Sequence, residues 1–467
     1  MHRYAALLTG VTTLCFVLTT GACLSWPEPP QPFAIAWSYD TSGYLETCGC
    51  STHQLGGLAR RATLLAQLRA KQPVLAIEGA HIIGDAGDFQ LFKGVTIVQA
   101  LNLMGYSAMQ LGIREAQHGA AGLSELATTA KFPCFSANLV VDGQPWDTPY
   151  AVVTIAGARV GITGVSQPEA VSFELPADVS FSNPTPALDG ILPKLRPKCD
   201  MIVVCLEGEH TWITGMAQAY ATQAGLFLSG ERGQPEAPLD FEATPPLLNT
   251  WDEGRFLGLV TVDPTAGGFS VAGTNLPVDD KLADLPEIKD LLDNTYRPQL
   301  KQRFFAQLKV DLRQLYLPPE YCADCHKEQV EKYAASGHAR SLDTLVSGGQ
   351  EYNPDCMSCH VVYDPDTDEL KPMNCIVCHS NITDQHVWDA MNDKVKPPAK
   401  PVAQYTLQWC QQCHDPANST NFAANWPQYV HRIYHGGNDK AARAAAKQLG
   451  LVYSAPPPGH EQQGSTP

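Results

Sequence analysis

Short apolar runs alternate with amphipathic stretches over the first half of the chain. The runs FAIAW at 33–37 and MIVVCL at 201–206 have the length of buried strands, whereas GGLARRATLLAQLRA at 56–70 has the spacing of a helix. This alternation predicts an α/β domain. The segment YAVVTIAGARVGITGV at 150–165 predicts, in addition, a hairpin that turns at Gly157.

The pattern changes after Asp279. A polar amphipathic stretch predicts a helix that is interrupted at Pro298 and ends at Pro318 and Pro319, as expected for a connection between domains. Beyond it, long periodic segments are scarce, which predicts mostly helical and irregular structure. The predicted divisions are a signal at 1–23, an α/β domain at 32–275, a helical linker at 276–318, a cysteine-rich domain at 319–440, and a short helix with a disordered tail at 441–467.

The first residues have the features of a secretory signal. MHRYAALLTGVTTLCFVLTTGAC has a basic start, followed by an apolar stretch that is short for a transmembrane helix. Cys23 follows Gly21 and Ala22, as a lipid-modified cysteine does in bacterial lipoprotein signals, but Thr20 stands where an apolar residue is usual. The sequence predicts export to the periplasm or cell envelope. It leaves both a lipid anchor at Cys23 and simple cleavage open.

Net charge narrows the possible partners, and length bears on the number of domains. The 32 basic and 48 acidic residues give a net charge of −16, which opposes contact with nucleic acid or with an anionic membrane surface. A basic protein would be attracted instead. With 467 residues, the chain is also too long for one ordinary hydrophobic core, which agrees with two or more domains.

The most specific chemical signal is a pair of cysteines followed at once by a histidine, which occurs four times. A CxxC pair is also typical of zinc sites, but zinc binding gives no reason for the histidine. Covalent haem does, because two thioethers fix the porphyrin and the next residue reaches the iron. The sequence predicts four haem c groups, at Cys322, Cys325 and His326, at Cys356, Cys359 and His360, at Cys375, Cys378 and His379, and at Cys410, Cys413 and His414.

Histidines outside these motifs are candidates for the sixth iron ligand. The region contains His338, His386, His431 and His435. His431 and His435 lie four residues apart and are not expected to serve the same iron. One haem would then be five-coordinate, and we expect it at His360, which has no spare histidine near it in sequence.

The cysteine-rich region resembles the tetrahaem cytochrome c family that includes the electron acceptor of hydroxylamine oxidoreductase. The resemblance lies in the order and spacing of the segments CADCHKEQVEKYAASGHARSLDTL, CMSCH, CIVCHSNITDQHV and CQQCHDPANSTNF. The resemblance covers about a quarter of the chain. It implies that His338, His386 and His435 are distal ligands and that one haem is left open. Tyr333 stands where the family often has tryptophan, and CHSN stands where glycine and proline usually follow. These departures leave haem binding intact but the redox partner and potential undefined.

The first half of the chain resembles the 5'-nucleotidase branch of the calcineurin-like metallophosphoesterases, through SYDTSGYLETCGC, LAIEGAHIIG, MQLGIREAQHG, FPCFSANLV, VVCLEGEH and FLSGERGQ. Those enzymes use two metal ions to activate water. The resemblance places the ligand positions at Asp40, Ser42, His81, Ile113, Arg114, Glu207, Glu231 and Gly233, and of these only Asp40 keeps the family's residue. It therefore implies the fold without the hydrolase activity, since a fold can persist without its site.

Two other sites at this end of the chain stay open. Cys48 and Cys50, with His53 nearby, form either a thiol or metal site, or a turn whose cysteines pair elsewhere or stay buried. A disulfide between the two is not expected, because CxC is too short for an unstrained one. Cys134 and Cys205 lie in apolar runs and are predicted core residues. A metal site of a different kind is also possible, built from the strand-end residues Glu78, His81, Glu115, Glu207 and Glu231.

Together these features predict an exported electron-transfer protein with four haem c groups. Its partners would be redox proteins, at least one of them basic, and its phosphoesterase-like domain would act as a scaffold or docking module. Two alternatives remain: a metal-dependent 5'-nucleotidase or phosphoesterase with a cytochrome appendage, and a haem enzyme that acts on a small nitrogen compound at a five-coordinate iron.

Overall fold

The computed structural model describes residues 29–47, 55–231, 241–251, 253–303, 316–379, 407–414, 419 and 421–433. The first half forms two six-stranded sheets. The first sheet contains β1 (Phe33–Ser38), β2 (Val74–Glu78), β3 (Ala108–Gln110), β4 (Cys134–Phe135), β14 (Phe256–Thr265) and β15 (Gly268–Pro277). The second contains β7 (Tyr150–Ile155), β8 (Ala158–Ser166), β10 (Met201–Glu207), β11 (Leu226–Glu231), β12 (Glu242–Ala243) and β13 (Pro246–Trp251).

Each sheet has a parallel centre, as the alternation of strands and helices predicted. The first sheet runs in the order β15-β14-β1-β2-β3-β4, and β1 pairs in parallel with β2, with Ile35 opposite Leu75. The second runs in the order β12-β13-β11-β10-β8-β7, and β10 pairs in parallel with β8. The predicted hairpin is confirmed, because β7 pairs antiparallel with β8 around Ala156 and Gly157. A small sheet joins β5 (Leu139–Val141), β6 (Gln144–Pro145) and β9 (Val179–Phe181).

The two large sheets pack face to face, and helices cover their outer faces. Ile35 and Trp37 of the first sheet share one apolar core with Val203 and Leu228 of the second. The covering helices are α1 (Leu58–Arg69), α2 (Asp88–Met104), α3 (Ile113–Ala116), α4 (Gly119–Thr129), α5 (Pro184–Leu195), α6 (His210–Ala219) and α7 (Pro286–Leu291). The predicted α/β domain is confirmed, and the parallel central strands are apolar on both faces because they are covered on both.

The segment predicted as a helical linker is helical over residues 286–303 and is part of the first domain. Ile288, Leu292, Tyr296 and Leu300 are buried in its core. The predicted break at Pro298 is wrong, because the helix continues to residue 303 after a π-helical turn at Leu292–Tyr296. A proline clashes with the carbonyl group four residues before it. The wider π turn gives that carbonyl room.

The described residues of the cysteine-rich region form helices and one hairpin. Its α-helices are Pro319–Ala334, Ser341–Gly348, Pro354–His360, Cys375–Cys378, Leu407–Cys410 and Phe422–Ile433. The hairpin of Val361–Asp364 and Glu369–Pro372 was not predicted, although the mostly helical character was. Within the described ranges, no helix has the length and apolar character needed to cross a membrane. The predicted signal and Cys23 lie outside those ranges.

Candidate functional sites

Ionisable side chains collect at one edge of the packed sheets, where parallel strands end. Asp40 follows β1, His81 follows β2, Glu115 follows β3, and Glu207 is the last residue of β10. Asp40 and His81 have φ values of 48° and 66°. Positive φ is uncommon outside glycine and is concentrated at functional sites. The edge therefore coincides with the position that the resemblance gave to the metal centre.

The imidazole of His81 lies between two carboxylates. Its Nδ1 atom is 3.4 Å from Oδ2 of Asp40, and its Nε2 atom contacts Oε1 of Glu207. The ring of Tyr39 packs against it, with centroids 5.6 Å apart. Burial acts to lower the pKa of His81, but the charges of Glu207 and Asp40 outweigh it and raise the pKa to about 10. His81 is therefore a largely buried cation at neutral pH.

The carboxylate of Glu207 has further partners in the protein. The backbone N–H of Ile113 donates to its Oε1 atom at 2.9 Å, and the Ser166 hydroxyl donates to its Oε2 atom. Asp40, His81 and Glu207 form a charged triad, and at its other end the Ser42 hydroxyl donates to Oδ1 of Asp40. Both carboxylates are thus held by donors on both oxygens.

Glu115 closes the edge through backbone groups. Its carboxylate accepts hydrogen bonds from the N–H groups of Gly112 at 3.0 Å, His81 at 3.2 Å and Ile82 at 2.8 Å. Burial, together with the nearby charge of Glu207, raises the pKa of Glu115 despite these donors. Glu115 therefore ties the loop after β2 to the start of α3.

Glu78 belongs to a separate ion pair beneath this edge. Nη1 of Arg61 donates to its Oε2 atom at 3.1 Å, and the Thr41 hydroxyl donates to its Oε1 atom at 2.8 Å. Nη2 of Arg61 donates to the same Thr41 hydroxyl at 2.9 Å. Arg61 and Glu78 are 1% and 0% exposed. The pair links α1 to the first sheet and is not accessible to an ion from solvent.

The residues at this edge do not fit a dinuclear metal centre. Within the described part of the chain, no group of three or more His, Cys, Asp or Glu side chains is arranged to hold a metal ion. Ile113 has no ligand atom in its side chain, and Arg114 pairs with Asp85 at 2.5 Å. Metal ligands must direct lone pairs at a shared ion, whereas Asp40 and Glu207 direct theirs at His81 and at hydroxyl or N–H donors.

The described cysteines of the CxxCH motifs lie close to one another. The thiols of Cys322 and Cys375 hydrogen bond to each other, which lowers the pKa of Cys322 to about 7. Cys378 lies near Cys410. Burial, and to a smaller extent the charge of Cys410, raises the pKa of Cys378. Sγ of Cys359 is 3.8 Å from the carbonyl oxygen of Gln412. The fold therefore brings all four motifs together.

Histidines of this region also converge. The rings of His338 and His414 are 6.1 Å apart between centroids, and His414 stacks on Phe422 at 4.2 Å. Nδ1 of His360 lies 3.1 Å from the Thr344 hydroxyl. Burial, with the adjacent charge of His360, lowers the pKa of His338. A neutral imidazole is the form that binds iron.

The donor set fits covalent haem. No disulfide involves the motif cysteines whose side chains the structure describes, and each motif supplies two thiols with the adjacent histidine. Cys322, Cys356, Cys359, Cys375, Cys378, Cys410 and Cys413 would hold the porphyrins, with His326, His360, His379 and His414 on the irons. A haem c group bound in this way supplies a one-electron Fe(III)/Fe(II) couple.

Several predicted residues cannot be placed. Cys23, Cys48, Cys50, His53, Gly233, His386 and His435 lie outside the described residues, as do the side chains of Glu231, Cys325 and His431. The predicted core positions of Cys134 and Cys205 are confirmed, at 5% and 0% exposure. Sequence analysis missed the pairing of Arg61 with Glu78. An arginine on the apolar face of α1 was the available signal.

Comparison with known proteins gives a different match for each half of the chain. Residues 321–402 match the family model described as cytochrome c554 and c-prime. This match includes the first three CxxCH motifs and stops before the fourth, at 410–414. The C-terminal half therefore contains a segment similar to that cytochrome family.

The first half is similar in sequence to 5'-nucleotidases. The chain is 30% identical to the Bos taurus 5'-nucleotidase over 203 residues, which cover 38% of this chain and 34% of that one. It is 36% identical to the snake venom 5'-nucleotidase of Gloydius brevicauda over 149 residues, which cover 29% and 23%. The chain thus spans about a third of the length of these relatives or less.

Solved structures give a similar match at lower identity. The 5'-nucleotidase precursor of Thermus thermophilus is 21% identical, with a TM-score of 0.49, and the match covers 58% of this chain and 59% of that one. The calcineurin-like phosphoesterase YfkN of Bacillus subtilis is 16% identical, with a TM-score of 0.49 and coverage of 59% and 99%.

Proposed function

We propose that this protein is an exported tetrahaem cytochrome c that passes electrons between redox partners, with its phosphoesterase-like domain acting as a scaffold or docking module. The observation that carries the proposal is the convergence of the CxxCH motifs, through the contacts between Cys322 and Cys375, between Cys378 and Cys410, and between Cys359 and Gln412. Motifs this close would place their haems within one relay. Export agrees with haem c attachment outside the cytoplasm.

Mass spectrometry and rapid kinetics test this proposal. The mature chain should contain four covalent haems, and three or fewer would contradict it. The reduced protein should transfer electrons to an external acceptor in stopped-flow experiments. Because the net charge is −16, the rate with a basic partner should fall as ionic strength rises, and a rate independent of salt would argue against docking through charge.

A haem enzyme remains the competing interpretation of the same groups. If the haem at His360 is five-coordinate, it would bind nitric oxide or hydroxylamine, which ligand titration detects by its absorption change. Binding alone would be compatible with electron transfer. Sustained turnover of such a compound, without electron passage to an external acceptor, would replace the carrier function with an enzymatic one.

Phosphoester hydrolysis is the second candidate function, and the 30–36% identity to 5'-nucleotidases favours it. We propose instead that the first domain is inactive, because the Asp40–His81–Glu207 contacts satisfy the groups that a metal would need. Nucleoside monophosphates and aryl phosphates should not be hydrolysed with manganese, zinc or calcium present. Asp40→Ala should leave this result unchanged. Metal-dependent turnover that Asp40→Ala abolishes would establish the hydrolase.

A further inference from the structure

One haem-attachment helix is joined to the phosphoesterase-like domain by an ion pair whose lysine is buried. Lys93 on α2 is only 4% exposed, and its Nζ atom contacts Oδ2 of Asp355. Asp355 is in the first turn of the helix Pro354–His360, directly before Cys356. The Lys93 ammonium also lies 5.2 Å from the ring centroid of Phe89. The charge that faces this attachment site is therefore supplied by the other domain.

Further contacts hold the same attachment helix in place. The Asn353 side chain accepts a hydrogen bond from the backbone N–H of Asp355 at 3.1 Å and so caps the helix. Glu46, in the loop after β1, accepts hydrogen bonds from Arg297 and from the Gln350 side chain. Asp355 is thus held at its backbone N–H by the Asn353 cap and at its carboxylate by Lys93.

We propose that Lys93 raises the reduction potential of the haem attached to Cys356 and Cys359, and that Asp355 acts in the opposite direction as its counter-charge. The proposal rests on the proposed haem binding. A ferric haem carries one more positive charge than a ferrous haem, so a nearby cation favours reduction and a nearby anion opposes it. Salt screens a buried charge weakly, so Lys93 retains its effect at physiological ionic strength. The phosphoesterase-like domain would thereby tune one member of the relay.

Potentiometric titration of the holoprotein tests the sign of the two effects. Lys93→Met removes the cation and keeps most of the side-chain volume, so one of the four haems should become several-fold harder to reduce. Asp355→Asn removes the anion and should make the same haem several-fold easier to reduce. A tenfold change in the equilibrium constant equals about 59 mV for one electron. The double variant should return close to the wild-type potential.

Matched controls separate electrostatics from structural damage. Arg159→Gln and Asp200→Asn break a pair in the second sheet, where Nη2 of Arg159 lies 2.7 Å from Oδ1 of Asp200, and should shift no haem. His360→Met changes the proximal ligand and identifies the transition of the affected haem. Shifts of Lys93→Met and Asp355→Asn in the same direction, or no shift in either, would overturn the proposal while four redox-active haems persist. A mature wild-type chain without haem on Cys356 and Cys359 would overturn the proposed function, and this proposal with it.

Discussion

The phosphoesterase-like region and the cytochrome region fill their interiors by different means. In the first, large side chains such as Trp37, Phe33 and Phe227 are at most 1% exposed, within cores that join both sheets to their helices. In the described part of the second, one small buried cluster joins Leu345, Met357 and Val361, and further buried apolar side chains, such as Val362 and Ile376, lie outside it. Among the described residues, the second region therefore has no apolar core on the scale of those in the first.

The two regions also differ in how their reactive groups are satisfied. The carboxylates at the sheet edge are bonded to protein donors, so that region is complete with its own residues. The cysteines and histidines of the other region form donor sets that fit haem. The comparison teaches that the first region satisfies its charged edge groups with its own residues, whereas the second gathers donor sets of the kind that bind a cofactor.

The largest expected effect comes from withholding haem. If the chain is produced without haem attachment, residues 316–379 should lose protection from hydrogen exchange. The porphyrins would supply apolar contacts that the protein's own residues in this region do not provide. Residues 55–231 should remain protected. Hydrogen exchange followed by mass spectrometry measures both regions in one sample, and equal protection of the two would contradict the cofactor-dependent core.

Breaking the buried pair in the first region should have the next largest effect. Arg61→Met leaves Glu78 as an unpaired buried charge and should lower the free energy of unfolding by about 3–5 kcal/mol. Chemical denaturation followed by tryptophan fluorescence measures it. Arg159→Met is the matched control, because its side chain is 49% exposed, and it should change stability little. Equal effects of the two substitutions would remove the argument for a buried pair.

Replacing His81 should have a smaller effect that depends on pH. The pKa of His81 is about 10 in the folded chain against an ordinary value of 6.5, so folding favours the protonated ring. Its contribution to stability is fully present below pH 6.5 and is lost as pH rises through 10. His81→Gln should therefore cost about 2–4 kcal/mol at pH 6 and progressively less towards pH 10. Denaturation at several pH values checks this trend, and a cost that grows with pH would contradict the charged triad.

The smallest expected effect is confined to one haem. His338→Met should replace a distal imidazole with a thioether, which alters the low-spin spectrum and raises the potential of one haem. Absorption and electron paramagnetic resonance spectra detect the change, and His386→Met extends the test to the second predicted distal ligand. Exposed His210 on α6 supplies the control, since His210→Met should change no haem. Unchanged spectra in both His338→Met and His386→Met would reject these distal ligands.

Local sequence patterns predicted the fold well where the pattern itself decides the structure. The apolar strands, the turn at Gly157 and the buried Cys134 and Cys205 depend on periodicity and on nearby residues. The break assigned to Pro298 was wrong, because the preceding π turn relieves the clash that normally ends a helix at proline. No local pattern predicts such a turn.

The candidate sites divide in the same way. Spacing alone identified each CxxCH motif, since two thiols and a histidine within five residues are sufficient to attach a porphyrin. The resemblance to metallophosphoesterases placed Asp40, His81 and Glu207 at ligand positions, but it gave no partner to any of them. Glu78, grouped with them as a candidate metal ligand, is instead paired with Arg61.

The sequence by itself predicted the two domain types, the haem-attachment residues and the replacement of most metal-ligand residues, because each prediction uses residues close together along the chain. Tertiary structure alone decided that His81 lies between Asp40 and Glu207 and that Lys93 meets Asp355. These groups come from distant segments and become neighbours only after the sheets stack and the domains dock. Their protonation and their effect on nearby groups follow from that burial and proximity, since charges interact strongly only where water is excluded.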